Sequence, residues 1–155
     1  MTNPIDELKT EHRAVRTVLD ILKAMTRALE KTGRLPDTGH GEEILDFLVV
    51  FVDKCHHGKE EGLLFPALEA VGVSRNGGPI GVLLEEHRKG RSLTAEMTAA
   101  LAGLRKGAPG AARDFGKAAG DYITLLGFHM DKENGMLFPL AERHLAPGTL
   151  EELHR

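Results

Sequence analysis

The phrase "CHHGKEEGLLFP" at residues 55–66 returns as "FHMDKENGMLFP" at 128–139, with seven of its twelve residues kept in order. Upstream of each copy stands a second repeated phrase, "EHRAVR" (11–16) and "EHRKGR" (86–91). The offset from His12 to His87 exceeds that from His56 to His129 by only two residues, which one loop adjustment absorbs. The chain is therefore written as two like halves, each carrying one His and then a His-x-x-x-Glu. On a helix, positions i and i+4 stand one turn apart on the same face, so each His-x-x-x-Glu presents an imidazole and a carboxylate together.

Helical periodicity dominates the rest of the sequence, and strand signals are scarce. Asn3-Pro4 followed by Asp6 and Glu7 predicts a helix start, with a cap, a proline in the first turn and acids facing the helix dipole. The first helix then lines up Ile5, Leu8, His12, Val15, Leu19, Leu22 and Leu29. "GRLPDTGHG" (33–41) predicts a loop, and the second helix runs from Glu42 to Ala70 with Leu45, Leu48, Val52, His56, Glu60 and Leu63 in line. A break at "GVSRNGGP" (72–79) precedes a third helix from Ile80 to Leu104. After "RKGAPGA" (105–111), a fourth helix aligns Phe115, Ala119, Tyr122, Leu126, His129, Glu133, Met136 and Leu140. Pro66 and Pro139 should kink the second and fourth helices. Four long helices with short connections predict an all-α, up-down-up-down four-helix bundle, built as a duplicated helix hairpin. At 155 residues one domain spanning the chain is expected.

The repeat also chooses between two registers in "HHGKEE". His56 aligns with His129 and Glu60 with Glu133, whereas His57 aligns with Met130 and Glu61 with Asn134. Four residues before His56 stands Val52, and four before His57 stands Asp53, so Asp53, His57 and Glu61 read as one solvated face. His12, His56, Glu60, His87, His129 and Glu133 then sit on stripes of aliphatic and aromatic residues. A buried carboxylate must be protonated, paired or metal-bound. No Lys or Arg continues the inner stripe to neutralise Glu60 and Glu133. One or two divalent cations would satisfy all six groups. Imidazole and carboxylate without thiolate favour iron, manganese or zinc over magnesium or calcium, and iron suits both the ligands and bridging by carboxylates.

The order His, His-x-x-x-Glu, His, His-x-x-x-Glu over four helices, with "LFP" after each motif, resembles the hemerythrin-like (HHE cation-binding) domain. The resemblance runs from about Ile5 to Leu145. It implies a bundle holding two non-haem iron ions bridged by an oxo or hydroxo group and by carboxylates. His12, His56, His87 and His129 would be terminal ligands, and Glu60 and Glu133 the bridges. Oxygen-carrying members have a further His from a His-x-x-x-His on the third helix, where this chain has Leu83 and Arg91; His57 could be a replacement fifth ligand, but its register argues against it. With that ligand missing, each iron would keep about one exchangeable position, which suits chemistry on hydrogen peroxide or nitric oxide more than oxygen carriage. The expected function is therefore peroxide, nitric oxide or oxygen handling in stress protection, drawing on an electron donor. The alternative is a non-enzymatic module sensing oxygen, iron or redox state.

Tyr122, two turns from His129 on the same stripe, is the candidate catalytic side chain, able to donate a hydrogen bond to a bound oxygen species or to supply an electron. A core aromatic is the competing reading. Cys55 is expected to be a small buried hydrophobe. Glu11 and Glu86, next to His12 and His87, could orient those histidines or serve as surface charge. His40, His144 and His154 are expected to be solvated. A net charge of −3 gives no electrostatic case for nucleic acid. The longest apolar run, "FLVVFV" (47–52), is too short to span a bilayer, and its several apolar faces could form a homodimer contact. The lone Cys55 and the absence of a basic-then-apolar leader pattern lead to an expected cytoplasmic location.

Overall fold

The computed structural model describes residues 3–35 and 37–153. Four long helices follow one another: α1 (Pro4–Thr32), α2 (38–70), α3 (Pro79–Arg105) and α4 (111–144). A short α5 (Pro147–Leu153) folds back against α1. Among the described residues there are no strands. The predicted all-α bundle is the observed architecture.

Local chemistry sets the helix ends. Asn3 Oδ1 accepts from the Ile5 N–H at 2.9 Å, with Pro4 in the first turn. Gly33 closes α1 at φ 69°, and its N–H bonds the Leu29 carbonyl at 2.7 Å. The predicted loop over 33–41 is shorter than expected, because Asp37 caps a helix that begins at Thr38. Its side chain accepts from the Gly39 N–H at 2.8 Å, a cap missed because "TGHG" has poor helix propensity. The turn before α3 demands glycine for closeness, since a Cβ on Gly78 would lie 2.6 Å from the Ser74 carbonyl oxygen.

Both α2 and α4 contain wide, π-helical turns with i→i+5 bonding. Each has one over the second half of its motif, Glu60–Leu64 and Glu133–Leu137. In α2 a longer wide stretch, Phe47–His57, comes first. Pro66 and Pro139 stand in the first α-helical turn after the short wide segments. Each absent proline N–H is thus accommodated by a local change of winding rather than by a break.

The core has two apolar halves. One packs Val15, Leu19, Leu22, Leu48, Val52, Met97, Phe115, Tyr122 and Leu126. The other packs Ile5, Leu8, Leu64, Phe65, Leu68, Leu83, Leu137 and Phe138. Along every long helix the repeated His and Glu positions fall between these two sets, so the bundle carries a polar layer inside an apolar stack. In the "FLVVFV" run Leu48 and Val52 are buried, while Val50 is 42% exposed and Phe47 stacks on Phe51. No helix among the described residues is long and apolar enough to cross a membrane.

Candidate metal centre

Seven side chains form the polar layer: His12, His56, His57, Glu60, His87, His129 and Glu133, none more than 3% exposed. His12 and His56 point their Nε2 atoms at each other, 3.0 Å apart, and His87 and His129 do the same at 3.1 Å. Each glutamate spans the two pairs. Glu60 places Oε1 3.2 Å from His87 Nε2 and Oε2 3.9 Å from His56 Nε2. Glu133 Oε1 lies 3.0 Å from His12 Nε2 and 3.3 Å from His129 Nε2. Ligand atoms of His12, His56, Glu60 and Glu133 all lie within 4.8 Å of one another, and so do those of His57, Glu60, His87 and His129.

This donor set fits two cations. Two imidazole nitrogens each about 2.1 Å from one ion, roughly at right angles, stand about 3 Å apart. Both Glu60 oxygens, Glu133 Oε2 and both ring nitrogens of His57 are buried without a hydrogen-bond partner. Such orphaned groups are costly unless something charged completes them. Among the described residues only histidines come within ion-pair distance of Glu60 and Glu133. Burial, and then the charge of Glu133, pushes the Glu60 carboxyl well above the carboxylate range. Burial would raise Glu133 too, but the facing Glu60 carboxyl, His129 and His12 hold it well below. Without a cation, then, the pair keeps a proton, because two carboxylates this deep cannot both ionise. Burial lowers His129, yet Glu133 and Glu86 override it and lift the ring to about 9. Burial takes His57 down to about 4, and burial with the neighbouring histidines depresses His87. Cations would replace protons here.

Behind four of the five rings, all but His57, stands a partner that fixes its tautomer and direction. Glu11 Oε1 lies 2.7 Å from His56 Nδ1, and Lys59 Nζ holds the other Glu11 oxygen at 2.5 Å. Glu86 Oε1 lies 3.0 Å from His129 Nδ1, with Lys132 on its other oxygen at 2.5 Å. Thus Glu11 and Glu86 do orient histidines, but on the next helix of the hairpin rather than beside themselves in sequence. His12 Nδ1 meets Asn134 Oδ1 at 2.9 Å, and His87 Nδ1 meets Glu61 Oε2 at 3.2 Å. The "LFP" phenylalanines also take part. Phe138 stacks on His12 with centroids 5.3 Å apart, and Phe65 stacks on His87 at 5.9 Å.

The structure brings together all six residues singled out from the repeat and corrects the reading of a seventh. His57 is not on a solvated face. It is buried, stacks on His87 at 3.8 Å and 15°, and joins the second cluster of ligand atoms. The register argument assumed 3.6 residues per turn, and the wide winding over Phe47–His57 lets consecutive histidines both face inward. Such winding has no compositional signature, so nothing in the sequence marked His57 as facing inward. Asp53 and Glu61 are part-exposed, and both pair with Arg91. Cys55 is exposed rather than buried. His40 and His144 are exposed, with His144 closing α4, and His154 lies outside the described residues. Tyr122 is buried beside Gly90 and Leu126 in the larger apolar half, outside both ligand clusters. Burial, then the charge of Asp53, raises its phenol far above the usual range, so it stays protonated.

A comparison with curated proteins returned no match. The sequence model of the hemerythrin HHE cation-binding domain matches residues 3–141. Nearly the whole chain is covered by that match, and its buried His and Glu clusters are of a kind that could hold metal ions, so the chain belongs to the hemerythrin HHE cation-binding domain family.

Proposed function

We propose that the protein is a non-haem di-iron protein that handles hydrogen peroxide, nitric oxide or oxygen in protection against oxidative or nitrosative stress. The observation that carries this reading is the pair of ligand clusters sharing Glu60, with Glu133 close to a histidine of each. Bound iron would supply ferrous–ferric cycling and an open coordination position for a small oxidant. His12 and His56 would serve one ion, and His57, His87 and His129 the other, with Glu60 and Glu133 between them. On that division His57 would supply a further imidazole to one ion, in place of one vacancy on each. The exchangeable position would then be on the His12–His56 side. Closure of the layer by Phe65, Phe138 and the two apolar halves excludes bulky substrates and bulk water, which favours diatomic or peroxide ligands. Tyr122 keeps its phenol O–H and is the candidate hydrogen-bond donor to a bound oxygen species.

His57 also lends weight to a second reading, a non-enzymatic module that binds oxygen reversibly and reports it. One ion with three imidazoles and one with two suits reversible binding at a single place. Stopped-flow mixing of the anaerobically reduced, iron-loaded protein with oxygen, peroxide and nitric oxide separates the two. The first reading expects oxidation by oxygen without a lasting adduct, nitric oxide binding, and peroxide consumption over many turnovers. Tyr122→Phe should then slow peroxide consumption ~10²-fold at unchanged iron content. A persistent oxygen complex that releases oxygen on evacuation, with no peroxide turnover, would favour the second reading.

A further inference from the structure

The two halves match through most of the layer: Glu11 with Glu86, Lys59 with Lys132, Phe65 with Phe138, and Glu60 with Glu133. Three differences break the match on the His87 side. His57 stands where the second copy has Met130, Glu61 where it has Asn134, and Asp53 where it has Leu126. Their surroundings differ accordingly. Glu61 receives the His87 Nδ1 side at 3.2 Å and is gripped by the Arg91 guanidinium, which also bonds Asp53 at 2.8 Å. Asp53 Oδ1 in turn lies 3.7 Å from His57 Nδ1. The stacked pair His57 and His87 is therefore backed by two carboxylates tied together by one cation. His12, on the other side, is backed by a neutral amide, and Arg16, the counterpart of Arg91, turns outward to Asp131 at 2.6 Å. A carboxylate behind an imidazole N–H makes the far nitrogen a stronger donor, whereas an amide fixes the tautomer without adding charge.

We propose that the two cation positions are built unequal. Glu61, held by Arg91 with Asp53, is a positioning residue that makes the His57–His87–His129 position the tighter and first filled, and Asn134 leaves the His12–His56 position the weaker. This rests on the two-cation reading above. The repeat makes the inequality testable by exchange, because each residue's alternative already stands in the other half.

The test is an anaerobic titration of the metal-free chain with ferrous iron, followed calorimetrically and by chelator competition. The wild-type chain should bind in two steps separated at least tenfold in affinity. Glu61→Gln should weaken the tighter step about 10–100-fold and spare the weaker one. Asn134→Asp should strengthen the weaker step and narrow the gap. That gain cannot arise from a damaged fold, so it decides the matter even if Glu61→Gln fails to fold. Two ions bound with equal affinity, or Asn134→Asp leaving the weaker step unchanged or weakened, would overturn the inequality while leaving the two-cation reading intact. Saturation below two ions would instead overturn that reading, and this inference with it.

Discussion

Glu60 shows most directly what a single residue does here, because its two oxygens are fully buried and neither has a hydrogen-bond partner. In the cation-free chain it faces Glu133 and is held in its protonated form. Replacement by the neutral isostere should therefore relieve the cation-free protein while removing a bridge from the loaded one. Glu60→Gln is expected to raise cation-free stability by about 1–3 kcal/mol and to cut cation affinity sharply. Denaturant unfolding with and without chelator measures both effects. A variant destabilised in chelator would mean that the carboxylate is satisfied by protein alone. At this scale the sequence was a good guide wherever the repeat applied: His12, His56, Glu60, His87, His129 and Glu133 all lie in the layer. It misled at His57 and left Glu61 unassigned, since these are the positions where one half departs from the other and alignment says nothing about them.

The helices were legible because their signals are local. Caps, glycines and prolines mark the ends of α1 and α3 to within a residue. The wide turns were not legible, because i→i+5 winding has no compositional signature and is imposed by packing around the layer. The extended wide stretch in α2 has no equivalent of that length in α4, and His57 enters the site at its end. Other parts of the helices are less constrained than the layer. Gly120 in α4 is exposed, and a Cβ there would meet nothing within 4 Å. Gly120→Ala should add about 0.5–1 kcal/mol through backbone entropy and helix propensity. For a chain of this size that is a rise in Tm of roughly 1–4 °C, readable by thermal unfolding. A fall instead would show that a neighbouring helix needs the closer approach.

Considered as a whole, the molecule is two apolar cores joined through a buried layer of histidines and glutamates. Four histidine rings converge in two pairs, a fifth stacks on one of them, and two carboxylates lie between the pairs. The duplicated sequence made this convergence predictable, since two like hairpins can pair only by facing their His-x-x-x-Glu stripes. The unequal surroundings of the two halves were not predictable, because they follow from winding and from Arg91 reaching across to α2. The most direct test of the central claim is the metal content of chain purified after iron-replete expression, measured together with its near-ultraviolet absorption. The account predicts close to two irons per chain with an oxo-to-iron charge-transfer band. A single bound zinc, or one iron at saturation, would contradict it.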